Sequence, residues 1–296
     1  MSEMQSGLVS ISSDGLAAEI DPHGAQLHAL RDREQRDLLW DGDAAIWTGR
    51  APILFPIIGM LEQGCYRVGG KTYQLEKHGF ARRKTFEVID RTGASATFRL
   101  QADEPTLAVY PFAFQLDIRF ALDGSTLTVT ASVRNVGQAM LPASFGFHPA
   151  LRWPLPFGRS RSAHRIRFEA PEPAPIRRID REGLVTPTRH PTPVRDRTLA
   201  LADALFADDA VIFDQLSSQR LDYGADAGPR LEVAFPDTPY LGVWTKPGAG
   251  FICIEPWHGI ADPKGYAGDF YDKPGVFHVA PGATRELSLS ITLKAS

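Results

Sequence analysis

Apolar and polar residues alternate with a period of two through most of this 296-residue chain. The segments GLVSISSDGLAAEID and FQLDIRFALDGSTLTVTASVRN show the pattern most clearly, because each alternates on both sides of an Asp-Gly pair. An Asp-Gly pair between two alternating runs is typical of a tight β-hairpin. In the second segment Leu127, Val129, Ala131 and Val133 fall on one face, so we expect strands with one apolar side.

Five more strand candidates are SATFRLQA, RLEVAF, YLGVWTK, GFICIEPW and RELSLSITLKA. Long amphipathic helices are missing, and LADALFADDAVIFDQL is the best short helical or mixed segment. Many strands separated by turns, with few helices, indicate an all-β fold, either an antiparallel sandwich or a barrel. No glycine-rich phosphate loop opens a helix after a strand, so nucleotide-binding folds are poorly supported.

Composition and charge argue against several classes of protein. The net charge of −3 and the pI of about 6.2 leave no basic excess for nucleic acid. The first residues lack the layout of a signal peptide, and no apolar run is long enough to span a bilayer. Cys65 and Cys253 are the only cysteines and form no CxxC pair, which favours reduced thiols, no zinc site and a cytoplasmic location.

Proline and arginine are concentrated between residues 152 and 197. This segment holds 11 arginines but only five acidic residues. Prolines weaken regular strand pairing, so we expect long loops around one or two strands here rather than a linker between two domains.

The first candidate functional residue is His78, in the segment LEKHGFARR. The glycine that follows it lets the backbone turn or approach another group closely. His78 and Arg82, four residues apart, would then be hydrogen-bond donors directed at an oxygen-rich ligand. A surface turn with a solvated arginine is the alternative interpretation.

The second candidate is His148, in the segment ASFGFHPALRW. Pro149 restricts the local backbone and biases His148 towards an extended conformation. Aromatic neighbours offer apolar walls, so the imidazole is confined and partly desolvated. A core histidine that bonds a backbone carbonyl is the alternative interpretation.

The third candidate is Glu255, at the end of the apolar run GFICIEPW. Strand alternation places Cys253 and Glu255 on one face and Ile252 and Ile254 on the other. Burying a carboxylate is costly without a partner, and burial raises its pKa into a range that suits proton transfer. A buried structural ion pair is the alternative.

Other chemistries fit the sequence less well. Two histidines and a carboxylate would suit a metal, but the close spacings of familiar metal motifs are absent. A serine hydrolase lacks its GxSxG elbow. A glycosidase needs two carboxylates, and Glu255 has no second carboxylate of equal quality in the sequence.

Taken together, these stretches resemble the aldose 1-epimerase (galactose mutarotase) superfamily, and within it the shorter LacX-like and hexose-6-phosphate mutarotase-like branch. The resemblance runs in order through GRAPILFPIIGML, YQLEKHGFARRKTFEV, YPFAFQL, SVRNVGQAMLPASFGFHPAL, LFADDAVIF and ICIEPWHGIADP. It implies a single domain, residues 1–296, with the family's large β-sandwich. HGFAR replaces the LHGG-type motif of the longer galactose mutarotases, so the resemblance does not imply galactose as substrate.

The resemblance also implies roles for individual residues. Glu255 looks like the general base that takes the anomeric proton, and His148 looks like the general acid that protonates the ring oxygen. His78 resembles a histidine that hydrogen-bonds the sugar. Further sugar-binding residues would be Arg82, Arg50, Trp257 and Asp209. Asp208 is adjacent to Asp209 and leaves the register open, and Phe147 or Trp153 are alternatives to Trp257 as a stacking surface.

The implied activity is interconversion of the α- and β-anomers of an aldose or aldose phosphate, with no metal and no cofactor. We hypothesise that arginines of residues 152–197, with Arg82, favour an anionic sugar, because guanidinium suits phosphate geometry; a solvated basic loop is the alternative. We expect a small-molecule sugar partner, no nucleic acid, no membrane, and a monomer or homodimer. A non-catalytic sugar-binding or sugar-sensing protein on the same fold is the competing hypothesis, and a metal-dependent sugar isomerase is the third.

Overall fold

A computed structural model describes residues 7–295 as an almost entirely β protein. Its strands are β1 Val9–Ser12, β2 Leu16–Asp21, β3 Gln26–Asp32, β4 Ile53–Leu54, β5 Cys65–Val68, β6 Lys71–Gln74, β7 Glu87–Arg91, β8 Ser95–Gln101, β9 Phe114–Asp123, β10 Thr126–Asn135, β11 Leu141–Ala143, β12 Phe145–Phe147, β13 Ala150–Arg152, β14 His164–Phe168, β15 Thr198–Ala200, β16 Val211–Phe213, β17 Arg220–Ala225, β18 Arg230–Ala234, β19 Tyr240–Trp244, β20 Phe251–His258, β21 Phe277–Val279 and β22 Thr284–Lys294. Every pairing between these strands is antiparallel, as the alternation predicts.

Two large sheets carry the architecture. One has nine strands in the order β15-β14-β17-β18-β22-β10-β9-β8-β7, and the other has the order β16-β19-β20-β12-β4 with β13 also paired to β20. Phe98 and Leu289 from the first sheet share one hydrophobic core with Val243 and Ile254 from the second. The two sheets therefore pack face to face, which confirms an antiparallel sandwich rather than a barrel.

Both predicted hairpins form at their Asp-Gly pairs. Ser12 pairs with Ala17 across the first turn, and Asp123 pairs with Thr126 across the second. Along β9 and β10 buried positions alternate with less buried ones, so each strand turns its apolar side towards the core.

Helical structure is limited to short pieces. Among the described residues the one α-helix, α1, spans Glu104–Val109 and begins at a capping box formed by Asp103 and Thr106; six residues are too few for a helical periodicity to predict it. Turns of 3-10 helix occupy Glu62–Gly64, Ala81–Arg83, Arg161–Ala163, Asp203–Phe206 and Phe270–Asp272. Within residues 7–295 no helix has the length and apolar character needed to cross a bilayer.

Two segments with weak patterns fold as the sequence indicates. LADALFADDAVIFDQL is mixed, because a 3-10 turn precedes strand β16. After Arg152, which ends β13, the segment to residue 197 consists of long loops around the single strand β14 and one short 3-10 turn. Both cysteines are free.

Candidate active site

A cavity of about 290 Å³ lies against the six-stranded sheet, on the face turned away from the shared core. On β20, Ile252 and Ile254 pack into that core, whereas Glu255 and Trp257 line the cavity. The volume is close to the lower end of the roughly 300–1,000 Å³ typical of small-molecule sites. The titratable groups of the lining are Lys77, His78, Arg82, His148, Asp209 and Glu255.

Strand β20 delivers Glu255 to the floor of the cavity. The side chain is only 2% exposed, and its cross-strand neighbour on β19 is Gly242. A Cβ on Gly242 would lie 2.6 Å from Cζ2 of Trp257. The missing side chain therefore leaves room for the Trp257 indole beside the carboxylate.

His148 lies directly across the sheet from Glu255. Gly146 on β12 pairs with Trp257, and Ala150 on β13 pairs with Cys253. The same register carried through the residues between them sets His148 opposite Glu255. The two side chains meet, with Nε2 of His148 3.0 Å from Oε2 of Glu255.

Burial removes water from this pair and shifts the two pKa values in opposite directions. Desolvation raises the pKa of Glu255 well above its usual 4.5, although the nearby Lys77 ammonium opposes the shift. Desolvation also lowers the pKa of His148 to about 3. Low polarity favours the uncharged forms of both groups. The pair therefore holds one transferable proton between the carboxyl oxygen and Nε2.

The other ring nitrogen of His148 is unusual. Among the residues that the structure describes, Nδ1 is buried and has no hydrogen-bond partner. A proton on Nδ1 has no acceptor, so the Glu255 carboxylate beside Nε2 is the group that can stabilise an imidazolium. His148 is therefore protonated only while Glu255 is ionised.

His78 reaches the cavity from a left-handed turn, with φ of 66° at His78 and 70° at Gly79. A Cβ on Gly79 would overlap the carbonyl oxygen of Phe55, which confirms the predicted close approach of this glycine. The Gly59 amide donates to Nδ1 of His78 at 3.0 Å, so the proton of the neutral ring resides on Nε2. Burial lowers the pKa of His78 well below 6.5. His78 is therefore a neutral hydrogen-bond donor.

Two cationic side chains, Lys77 and Arg82, line the cavity beside His78. Arg82 is half-buried and donates through Nη2 to the Lys77 carbonyl at 3.1 Å. Its Nε is buried and has no partner within residues 7–295. Burial lowers the pKa of Arg82, with the neighbouring Arg83 adding to the shift. This side of the cavity offers unused donors and positive charge.

Asp209, rather than Asp208, belongs to the cavity lining. Asp209 has a φ of 65° and accepts the Ala210 amide through its own Oδ1 at 2.7 Å. Arg178 donates to the Asp209 carbonyl at 2.8 Å. The Asp209 carboxylate also helps to raise the pKa of Glu255, so the two carboxyl groups are electrostatic neighbours. Of the two adjacent aspartates that the sequence leaves open, Asp209 is the one that lines the cavity.

The sequence and the fold agree with one protein family. The sequence profile of the family described as Aldose 1-epimerase matches residues 7–277. The chain belongs to this family. Membership of this family indicates a carbohydrate enzyme of the epimerase type. The LacX-like resemblance is confirmed by similarity between this chain and the chromosomal LacX protein of Lactococcus lactis. The two are 29% identical over 295 residues, which cover 96% of this chain and 99% of the relative.

Solved structures support the same assignment. A galactose mutarotase related enzyme from Lactobacillus acidophilus superposes with a TM-score of 0.89 at 30% identity, covering 97% of both chains. A galactose mutarotase-like protein from Lactobacillus casei gives a TM-score of 0.90 at 28% identity, covering 97% of this chain and all of the other. The sandwich is thus the aldose 1-epimerase fold.

Some predicted sugar contacts of this aldose 1-epimerase family member lie outside the cavity lining. Arg50 donates through Nη1 to the His28 carbonyl at 2.8 Å, and its backbone amide bonds the Gln26 side chain. Phe147 and Trp153 are buried in the shared core. Of the proposed stacking residues only Trp257 lines the cavity.

Several arginines of residues 152–197 form ion pairs with carboxylates of the protein. None of the 11 arginines in this fully described segment lines the cavity. Arg161 pairs with Asp203, while Arg177 and Arg189 both pair with Asp214. This placement argues against the hypothesis that they hold an anion. The segment contributes Ile179 and Gly183 to the cavity instead.

Sequence reasoning missed the aromatic wall around His148. The Trp47 ring lies 5.4 Å from the imidazole, centroid to centroid, and the Trp244 ring lies 6.1 Å away. Trp244 sits two residues after Gly242 in the YLGVWTK strand, so alternation alone would place it on the same face as Gly242. Trp47 comes from a loop and carries no comparable signal.

Proposed function

We propose that this protein is a mutarotase that interconverts the α- and β-anomers of an aldose or aldose phosphate. The observation that carries the proposal is the buried contact between His148 and Glu255 at the floor of a sugar-sized cavity. A structural ion pair would not need an open cavity above it. Anomer exchange needs one group that accepts a proton and one that donates it, held near the same ring.

Each step balances with the single proton that the pair holds. The shared proton first moves from the Glu255 carboxyl to Nε2 of His148. Glu255, now a carboxylate, then accepts the proton from the anomeric hydroxyl while His148, as imidazolium, protonates the ring oxygen. The bond between the anomeric carbon and the ring oxygen breaks, which leaves an open aldehyde, a protonated Glu255 and a neutral His148. Rotation about the C1–C2 bond exposes the other face of the aldehyde, and the two transfers then run in reverse. Burial favours the neutral pair that follows ring opening, since it lacks separated charge.

The remaining groups would hold the sugar in place. The neutral His78 donates from Nε2, and the Asp209 carboxylate accepts from hydroxyls. The Trp257 indole offers a flat apolar surface beside the carboxylate. A neutral donor, an anionic acceptor and an apolar surface together suit a sugar ring, whose hydroxyls both donate and accept hydrogen bonds.

The positive charges of Lys77 and Arg82 support an aldose phosphate as the substrate. The unpartnered Arg82 Nε and the exposed Lys77 ammonium would meet an anionic substituent at the cavity mouth. To test this, we would compare Arg82→Gln with Arg83→Gln, since Arg83 is adjacent and lies outside the lining. We expect kcat/KM for glucose 6-phosphate to fall selectively in the Arg82 variant. Equal turnover of glucose and glucose 6-phosphate by the unmodified protein would rule out the phosphate preference.

Mutarotation itself tests the activity. Fresh α-anomers of glucose, galactose and their 6-phosphates would be followed by polarimetry, with His148→Ala as the comparison. We expect acceleration that the variant loses by about 10²–10⁴-fold, the usual contribution of one proton-transfer group. Saturable shifts of the sugar resonances without acceleration would instead identify a sugar-binding protein. A cytoplasmic location and a monomer or homodimer remain part of the proposal.

A further inference from the structure

A third side chain lies beside the His148–Glu255 pair. Cys253 is two residues before Glu255 on β20 and is fully buried. One ligand atom from each of His148, Cys253 and Glu255 lies within 4.8 Å of the other two. Within residues 7–295 no other group of three His, Cys, Asp or Glu side chains forms a comparable cluster.

The chemistry of these three donors suits a divalent ion of the zinc type. Imidazole nitrogen, cysteine sulfur and carboxylate oxygen are the ligands that Zn²⁺ takes in proteins, whereas Mg²⁺ and Ca²⁺ prefer oxygen alone. Ligand atoms about 2.0–2.3 Å from a tetrahedral ion are about 3.3–3.6 Å from one another. The Nε2–Oε2 distance of 3.0 Å is slightly shorter than that spacing and the third atom lies within 4.8 Å of both, so side-chain movements of about 1 Å would bring the three atoms to the ion.

We propose that His148, Cys253 and Glu255 bind a Zn²⁺-like ion. The bound ion coordinates both residues of the proton-transfer pair and so prevents proton transfer to the sugar. His148 and Glu255 line the cavity, so the ion has a route from solvent to two of its three ligands, and Cys253 lies behind them. The cavity leaves a fourth position open for water or a sugar hydroxyl, as zinc sites with three protein ligands do. On binding, the ion replaces the thiol proton of Cys253 and the proton shared by the pair, and both leave to solvent.

The ion differs in role from a catalytic metal. It takes the Nε2 lone pair and the carboxylate oxygen that ring opening would use, so a bound ion and the acid–base reaction exclude each other. Trp47 and Trp244 pack around the imidazole and restrict the movement of His148. Binding of the ion does not rest on the proposed function, whereas the inhibition does.

Cobalt substitution tests the site without any reference to activity. Co²⁺ bound to a thiolate gives a sulfur-to-metal charge-transfer band, which reports directly on cysteine ligation. The chain has only two cysteines, so Cys65→Ser is the matched control for Cys253→Ser. We expect one Co²⁺ per chain and the band in wild type and Cys65→Ser, with no band in Cys253→Ser.

The outcomes separate clearly. Absence of the band from wild type, or a band that survives in Cys253→Ser and disappears in Cys65→Ser, would overturn the proposal. If Cys253→Ser fails to fold, Cys65→Ser still decides the question, because Cys253 is then the one thiol left in the chain. Mg²⁺ should not displace the Co²⁺.

Zinc affinity gives the magnitude, measured by competition with a chromogenic chelator. Losing even an outer-shell partner of a metal typically costs roughly 10–100-fold in affinity, so losing the sulfur ligand should weaken Zn²⁺ binding by about 100-fold or more. Zn²⁺ should inhibit mutarotation of the Cys65→Ser protein at the concentration at which it binds. Binding without inhibition of an active enzyme would overturn the blocking role, and an inactive protein that binds Co²⁺ through Cys253 would contradict the mutarotase proposal alone.

Discussion

Replacing Gly242 with alanine should shift the Trp257 indole that lines the cavity. The three heavy atoms nearest to a Cβ at this position are all carbons of the Trp257 ring, including Cζ2 at 2.6 Å and Cζ3 at 3.1 Å. Carbon atoms in good contact are about 3.5–4.0 Å apart, so the ring has to move by about 1 Å. The ring already packs closely on Gly146 of β12, where a Cβ would lie 2.6 Å from its Cδ1, so little space is left on that side.

The expected effects follow from that displacement. Overpacking of this size typically costs about 1–3 kcal/mol of unfolding free energy. A shift of about 1 Å in a group that positions a substrate can reduce turnover by about 100-fold, so we expect kcat/KM for the preferred sugar to fall 10- to 100-fold. Urea unfolding measures the first effect, and NMR of anomer exchange measures the second.

Gly93→Ala is the matched control, because a Cβ at Gly93 would have no heavy atom within 4 Å apart from its own residue and chain neighbours. This variant should keep both the stability and the activity of wild type. If Gly242→Ala behaves like Gly93→Ala in both assays, Trp257 is not confined by the two glycines, and its assignment as a sugar-facing surface loses its support.

Two further predictions concern buried charge. Lys273 is buried and donates to Asp262 at 2.6 Å. Asp262→Asn leaves its ammonium without a counter-charge, so the free energy of unfolding in urea should fall by about 3–5 kcal/mol. A fall of less than about 1 kcal/mol would contradict this prediction. The folded pKa of Glu255 lies above its unfolded value of 4.5, so its contribution to stability is present below pH 4.5 and is lost as pH rises towards the folded pKa. Glu255→Gln should therefore raise the melting temperature more above neutral pH than at pH 4.5; a gain that does not grow with pH would show that the carboxyl is not buried in its neutral form.

The elements with a strong local pattern were predictable. Period-two alternation around Asp-Gly pairs is enough to find the β9–β10 hairpin, and the same alternation separates Glu255 from Ile254 on β20. The HGFAR and GFHPA segments single out His78 and His148, because the glycine beside His78 permits a tight turn and the proline beside His148 restricts the backbone. These are short-range effects, and a single sequence contains them.

Features that depend on distant partners were not predictable. Arg177 looks available to a ligand until the fold brings Asp214 to within 3.0 Å of it, and these residues are 37 positions apart. Arg50 is held by a carbonyl of β3. Trp47 joins the site because its loop folds over the six-stranded sheet. Non-local pairing decides which charges remain free, and composition cannot show it.

The most direct test is the rate of anomer exchange, measured by NMR, for wild type and Glu255→Gln with the sugar that wild type handles best. The substitution keeps the shape of the side chain and removes its ability to accept a proton. We predict a folded variant that still binds the sugar and has lost about 10²–10⁴-fold in rate, as expected for a general base. A folded Glu255→Gln protein with a near-native rate would remove Glu255 from the reaction and contradict the proposed mechanism.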